Sequence, residues 1–341
     1  MKTRNLKTLA AALAAPLAFW AALLGAPPSL QGARAETTLS LVYPFPDFLV
    51  YTKSCKALAE KVNAAGAGVL KIDVKPFNSI GMFEQATAIQ KGVVDLSCLP
   101  AAFYARSLPE NEAISTSNSG PEAVRANGGM AIIDRLHQER LGMKYLGWVD
   151  SGVKFHIYMK DAPAFTDAGL PDLKGVKMRD NPIYGAFFRA LDAETHQMAA
   201  TDVYPALQKG VVNASAWTAI GVKALKWDEF LRHRLDPQFY QTDISVVMNL
   251  DKWNGLDDAA RKILQDTVIA HEISSRAARE AEAVEEQKQL EAEGMTVHAV
   301  SAADRYLEIA LESAYGRMKQ RLEKDGRPLD AAEKLRGLYQ E

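Results

Sequence analysis

The feature that most constrains this chain is a repeated switch between two hydrophobic periodicities. Thr38–Val42 is apolar and β-branched. Leu49–Asn63 carries Cys55, Leu58, Ala59 and Val62 at helical spacing, and Leu70–Val74 alternates with period two. Met82–Lys91 returns to helical spacing, and Val93–Leu99 is again strand-like. This order predicts a parallel sheet covered by helices. A second unit repeats the alternation after a helical stretch, Ala123–Leu141. It has strands at Lys144–Val149, Lys154–Met159, Val176–Arg179, Gln197-Met198 and Val211–Ala214. Its helices are Ile183–Leu191, opened by Pro182, and a segment after Thr201, the expected N-cap. Ile244–Asn249 and Val297–Val300 complete the strands. Leu256–Gly294 is one Ala- and Glu-rich helical pattern with no internal Gly or Pro, and Ala302–Leu338 closes the chain as helix. At ~1.5 Å per residue the Leu256 helix would outreach one domain and could brace two; a break near His271 is the alternative. The expected fold is α/β, with two lobes that are each a sheet flanked by helices. Residues 36–155 with 245–270 form one lobe, and 156–244 with 271–341 the other.

The first 35 residues read differently. Lys2, Arg4 and Lys7 precede an apolar stretch from Leu9 to Ala26, and Ala33-Arg34-Ala35 matches a small-x-small cleavage pattern. This is a secretory signal peptide; a membrane anchor is the competing reading, against which Pro16 and Pro27-Pro28 interrupt the stretch. Cleavage before Glu36 removes four cations and no anion, moving the formal charge from -2 to -6. The mature protein is then an exported, mildly acidic domain in the periplasm, not inserted in a membrane. Such a charge also disfavours nucleic acid as a partner, since that would call for a basic excess. Cys55 and Cys98 are the two cysteines. Export permits a disulfide between them, and two buried thiols are the alternative.

Catalytic motifs are sparse. There is no G-x-S-x-G, no H-E-x-x-H and no P-loop, and Gly66-Ala67-Gly68 lacks the third glycine of a dinucleotide fingerprint. His137, His156, His196, His233, His271 and His298 show no ligand spacing, so no metal and no cofactor is implied. Export, two α/β lobes and a possible bracing helix suggest a cleft that closes on a small ligand.

Three stretches carry a more specific signal. Asp172-Leu-Lys-Gly-Val-Lys-Met-Arg179 runs into Asn181-Pro182. Tyr204-Pro-Ala-Leu-Gln-Lys-Gly210-Val-Val-Asn213 leads to Trp217. Phe77-Asn-Ser-Ile-Gly81 is followed by Glu84 and by Ala88-Ile-Gln-Lys-Gly92-Val-Val-Asp95. In combination they resemble the solute-binding proteins of tripartite ATP-independent periplasmic (TRAP) transporters, of the dicarboxylate type. The resemblance covers nearly the whole mature chain. It implies a type II-like periplasmic binding fold, a small organic acid as ligand, and integral membrane permease subunits as partners.

The resemblance also implies site residues. Arg179, at the end of its strand, would grip the ligand carboxylate through the guanidinium fork. Lys154 and His156 are candidates for a second contact from the strand before. Trp217 would lie over the ligand. Ala216 stands where metal-assisted members carry an acid, which argues against a metal bridge. Asn213 replaces the usual Asp and suits a turn. Tyr43 and Phe45 would wall the cleft together with Phe48 and Tyr51, favouring an acid with an apolar body, such as a monocarboxylate or a keto or hydroxy acid. Tyr184 could add a hydroxyl contact, and Glu84 could bind, cap its helix or pair with Arg179. The expected function is a non-enzymatic transport receptor. A sensor for a membrane signalling partner is the runner-up, and a secreted enzyme using Glu84, His156 or Asp180 is the reading from a different class.

Overall fold

The computed structural model describes residues 36–341; the expected leader, residues 1–35, lies outside the described residues. In chain order the first lobe holds β1 (Thr37–Val42), α1 (Val50–Ala65), β2 (Leu70–Val74), α2 (Gln85–Gln90), β3 (Leu96–Pro100), α3 (Glu112–Ser115), α4 (Pro121–Ala126), α5 (Gly129–Leu141) and β4 (Met143–Val149). The chain then crosses to β5 (Lys154–Met159), β6 (Ala164–Phe165), β7 (Pro171–Asp172), β8 (Lys177–Asp180), α6 (Gly185–Ala190), β9 (Glu194–Gln197), α7 (Val203–Gln208), β10 (Ala214–Thr218), β11 (His233–Asp236) and β12 (Phe239–Gln241). It returns with β13 (Ile244–Asn249), α8 (Leu250–Gly255) and α9 (Asp258–Ala292), and ends with β14 (Thr296–Ala299), α10 (Ala303–Lys324) and α11 (Asp330–Gln340).

The first sheet runs β2-β1-β3-β13-β4, and the second runs β14-β11-β5-β10-β8-β9 with β12 on β5. Neither is purely parallel. β1 pairs parallel with β2 and β3, but β13 enters antiparallel to both β3 and β4. In the second sheet β8 is parallel to β9 and β10, while β5 is antiparallel to β10 and β11. The antiparallel members follow from the two crossings, because a strand that arrives from the other lobe need not keep the crossover rule.

Most elements fall where periodicity places them, and the differences have local causes. The expected helix Ala123–Leu141 is two helices, parted at Gly128, whose φ of 88° no α-helix accommodates. The closing helical region is likewise parted, at Gly326 and Pro328, into α10 and α11. Thr201 does not cap. The α7 N-cap is Asp202, preceded by a 3₁₀ turn, and no side chain caps it. The strand expected at Val211–Ala214 lies a few residues later and includes Trp217.

The long helix is unbroken over its 35 residues, with the Asp257 carboxylate accepting the Ala260 N–H at 2.8 Å to start it. Ala260, Leu264 and Val268 bury its first half in the core that holds β1 and β2. Further along, Gln287 reaches the Tyr158 hydroxyl and the Ala219 carbonyl, and Glu291 pairs with Arg234 of β11, so the helix spans both sheets. The C-terminal helices do not divide by lobe as the sequence expectation does. Leu335 and Tyr339 of α11 are buried with Ile133 and Trp148 of the first lobe. α10 packs Tyr306 and Ala310 on the second-lobe core and Met318 and Leu322 on the first.

Cys55 of α1 and Cys98 of β3 form a disulfide that staples this helix to the middle of the first sheet. It closes a loop of 43 residues. Chain-entropy reasoning gives such a loop about 4 kcal/mol of stabilisation. The double substitution Cys55→Ser with Cys98→Ser should therefore lower the free energy of urea unfolding by that order. A double variant as stable as the parent would remove the bridge from the account.

Candidate functional site

The two lobes meet along a small, largely apolar cavity. Phe45, Tyr51, Pro100, Thr242, Asp243 and Ile244 line it from the first lobe, and Phe155, Asn181, Ile183, Trp217 and Thr218 from the second. About 20 Å³ is open to water centres, roughly one water molecule. The lobes are drawn together across it. The Tyr51 hydroxyl donates to Thr218 Oγ1 at 2.7 Å, and Phe45 meets the Trp217 ring edge-on at 6.0 Å between centroids.

Behind Trp217 lies Arg179, 1 % exposed. β8 places it, and its register with Ser215 of β10 puts it on the same face as Trp217. Its guanidinium carbon is 5.7 Å from the Trp227 ring centre, 5.9 Å from that of Trp217 and 6.0 Å from that of Tyr184. Nε and Nη2 donate to the Met198 carbonyl at 3.2 and 2.9 Å, and Nη1 donates to the Tyr184 hydroxyl. Tyr184 passes the bond on to the Ala216 carbonyl at 2.8 Å. A guanidinium has five N–H donors. These bonds use three, and no carboxylate of the described residues pairs with the group. The charge is thus held by a carbonyl, a phenol and three ring faces, with donors to spare on both terminal nitrogens.

Of the expected site residues, the structure brings Arg179, Tyr184, Trp217 and Phe45 together. The rest it places elsewhere. Tyr43 is buried, but its hydroxyl donates to Asp47 at 2.8 Å and Lys56 lies over its ring, so it faces the outer side of α1. Lys154 is exposed at the start of β5 and opens onto surface grooves beside Gln238. His156 is committed to Asp236 at 2.9 Å and to Gln238. Asn213 stitches the far end of the second sheet, its Oδ1 accepting the Lys177 N–H at 2.9 Å. Glu84 is exposed at the N-cap of α2, makes no cap bond, and has no ion pair with Arg179. Asp180 points to the opposite face of β8, towards Arg189 of α6. Glu84, His156 and Asp180 therefore form no common constellation.

Sequence reasoning missed four contributors. Trp227 opens a three-residue 3₁₀ turn after β10 and carries no periodic signal. The Met198 carbonyl is backbone and has none to carry. Asn181 sits inside the quoted Arg179-to-Pro182 run, where its polarity reads as turn chemistry. Asp243 comes just before β13, where the chain returns to the first lobe, and its role needs the sheet topology. It is 1 % exposed, and its Oδ2 accepts the Ala102 N–H at 2.8 Å.

The paths between lobes carry a second polar cluster. Asp150 follows β4 with φ 53°, and its Oδ1 accepts the Ser54 hydroxyl at 2.7 Å with Arg279 of α9 3.5 Å away. Thr242 donates to the Asp150 carbonyl, and the Trp148 indole donates to the Thr242 carbonyl at 2.7 Å. The outgoing and returning strands are thereby tied where they pass.

The chain matches the family model of bacterial extracellular solute-binding protein, family 7, over residues 46–318. A solute-binding protein of Sulfitobacter sp. is 25% identical over 298 residues, which are 83% of this chain and 88% of that protein. An extracytoplasmic solute receptor of Bordetella pertussis, solved with pyroglutamic acid, shares the fold with a TM-score of 0.72 at 19% identity, covering 89% of this chain and 99% of that one. A TRAP periplasmic solute-binding protein of Desulfovibrio salexigens with bound orotic acid superposes with a TM-score of 0.76 at 17% identity, covering 89% and 98%.

Burial drives opposed titrations in this region. It pushes the Asp150 and Asp243 carboxyls up to about 7, and it pulls the His137 and His271 imidazoles down to about 4. A raised carboxyl keeps its proton in the fold after the unfolded chain has lost it, so its contribution falls as pH rises from about 4 to 7. A depressed imidazole acts in the opposite sense between about 4 and 6.5. Asp150→Asn removes one falling contribution. Its stability relative to the parent should therefore climb between pH 5 and pH 7, at up to about 1.4 kcal/mol per pH unit. A relative stability that drops over this range, in urea unfolding at both pH values, would mean that Arg279 outweighs burial at Asp150.

Proposed function

We propose a function for a chain that belongs to bacterial extracellular solute-binding protein family 7: it is the receptor of a TRAP transporter and captures a small organic acid. Binding, not bond-breaking, is what the family points to. The receptor works outside the cytoplasm, in the periplasm, and hands its ligand to integral membrane permease subunits. The leader of residues 1–35 directs it there.

The observation that carries the ligand class is the Arg179 guanidinium. It is buried, has no carboxylate partner among the described residues, and keeps two N–H donors uncommitted on its terminal nitrogens. A ligand carboxylate can accept both at once. The aromatic wall of Phe45, Phe155 and Trp217 then suits an acid with an apolar or flat body. Support comes from proteins of the same fold that hold pyroglutamic acid and orotic acid. A dicarboxylate would need a second cation at its far end, and besides Arg179, which stands behind Trp217, no Lys or Arg of the described residues lies at the cavity wall.

In this mechanism the lobes part and the Phe45–Trp217 contact opens, giving the ligand access to Arg179. The lobes then close on the acid and expel water, which strengthens the ion pair as the local dielectric falls. Tyr184 and the Met198 carbonyl fix the plane of the guanidinium before the ligand arrives, so little ordering is left to be done on binding. The ligand shifts an existing equilibrium between open and closed forms.

Melting of residues 36–341 against a panel of monocarboxylic, 2-oxo, 2-hydroxy, cyclic and dicarboxylic acids tests this reading. An acid at 100 times its dissociation constant adds about 2.7 kcal/mol, a shift of a few degrees for a protein of this size. The expected result is a shift with one class of monocarboxylate that disappears in both Arg179→Ala and Arg179→Lys, since lysine cannot fork. Full retention of the shift in Arg179→Ala would sink the assignment.

A further inference from the structure

The polar atoms on the cavity wall can be counted, and few are uncommitted. Thr218 accepts from Tyr51 and donates to the Ile220 carbonyl at 2.7 Å. Thr242 donates to the Asp150 carbonyl. The Asn181 Oδ1 accepts the Ile183 N–H at 2.9 Å, which leaves its amide NH₂ unused. Asp243 uses Oδ2 for the Ala102 N–H at 2.8 Å and its carboxyl also accepts from its own backbone N–H, while no side chain of the described residues donates to it. The remaining lining is apolar or aromatic, and of it Trp217 keeps a buried indole N–H with no partner among the described residues.

Asp243 is the unusual member. It is buried, lines the cavity from the first lobe opposite Trp217, and has no ion-pair partner among the described residues. A buried carboxylate without a cation is costly unless hydrogen-bond donors surround it. The fold supplies two backbone donors, the Ala102 N–H and Asp243's own, with no side-chain donor and no cation, and the lone pairs they leave are open to whatever occupies the cavity.

We propose that Asp243 is a specificity-determining residue, selecting a carboxylic acid that also presents an N–H or O–H donor to the first-lobe wall. The inference rests on the Arg179 reading: the second lobe takes the carboxylate, and the first lobe takes the donor. An acid of the same shape without that donor would leave the Asp243 oxygen desolvated and unpaired, and sites of this kind reject such analogues strongly. Burial already pushes this carboxyl up to about 7, and a ligand donor stabilises the ionised form that burial disfavours. The Asn181 NH₂ complements it by offering a donor to a ligand carbonyl.

Calorimetric titration of the mature protein with matched acids tests the proposal. The pairs are pyroglutamate against the lactone acid of the same ring, and 2-hydroxyisovalerate against 2-oxoisovalerate. At least one pair should show the donor-bearing member binding about tenfold or more tighter. In Asp243→Asn the amide oxygen keeps the Ala102 N–H, so its NH₂ turns to the cavity and presents a donor in place of an acceptor. The preference should then shrink or reverse towards the donor-free acid, while Arg179→Ala abolishes binding of both. Acids that bind wild type in an Arg179-dependent way but with equal affinity within each pair would overturn the role of Asp243 and leave the receptor reading intact. The comparison within each pair is made on the wild-type protein alone. An unchanged ratio in a folded Asp243→Asn would overturn it as well. Binding that survives Arg179→Ala would instead strike the carboxylate reading, and the inference with it.

Discussion

A guanidinium taken out of water, with no carboxylate of the described residues paired to it, sets the terms for the second lobe. Arg179 stays charged at any pH a protein meets, so it cannot escape its desolvation cost by losing a proton. The surrounding chain meets that cost in pieces. The Met198 carbonyl takes two of its N–H groups, Tyr184 takes a third, and Trp217, Trp227 and Tyr184 turn ring faces or edges towards it. Each of these partners is itself tied down. Tyr184 is bonded to the Ala216 carbonyl and packed against Phe155 and Phe188, and the two indoles pack edge to face at 5.0 Å. The aromatic content of this lobe is therefore a scaffold for one cation as much as a hydrophobic core.

The crossing between lobes solves a different problem. Two strands pass each other there, and their backbone groups cannot all join a sheet. The Thr242 N–H reaches the Val153 carbonyl at 2.9 Å, and the Gly152 N–H reaches Gln241 Oε1 at 3.1 Å. α9 lays its polar face over the same place. Ser275 accepts the Asp150 N–H at 2.9 Å, and Glu272 accepts the Trp148 N–H at 2.7 Å while pairing with Arg125. This explains why a helix that braces two hydrophobic lobes buries Glu272, Ser275 and Arg279 in its middle. At that level it covers a junction of backbone polar groups, and apolar side chains would leave them unsatisfied.

Much of this was legible in the chain. The alternation of periods placed both α/β units, and the absence of Gly and Pro from the α9 stretch suggested one helix, with a break near His271 as the alternative. The Asp172–Arg179 run pointed to Arg179 only through its resemblance to a family, since a lone Arg at a strand end reads equally as an ion pair. What was lost depends on contacts between residues remote in sequence. Lys154 and His156 share a strand with cavity-lining Phe155, yet residues one apart on a strand face opposite ways, and no pattern says which face is the cleft. Asn213 joins β8 to β10, a sheet-building role that looks the same in sequence as a ligand contact. Asp243 looks like any acid before a strand until β13 is seen to return between β3 and β4. The thiols of Cys55 and Cys98 lie in a helix and a strand whose packing periodicity cannot measure.

The cavity bears on how such a molecule can open. With room for about one water, the lobes sit in contact across the cavity. Across the cavity itself the contacts are few, chiefly the Tyr51–Thr218 hydrogen bond and the Phe45–Trp217 ring contact. Terms of this size are worth about 1 kcal/mol each. Elsewhere the lobes are bound more firmly. α9 runs across both, and Arg317 of α10 pairs with Glu112 at 2.6 Å while donating to the Ile183 carbonyl of the second lobe at 3.0 Å. Buried, partnered ions such as these are costly to break. Separation should therefore begin at the aromatic side and pivot about α9, α10 and the Asp150–Thr242 crossing. A ligand that contributes one forked ion pair and one donor contact supplies more than the weak side loses. The strong side needs only to bend.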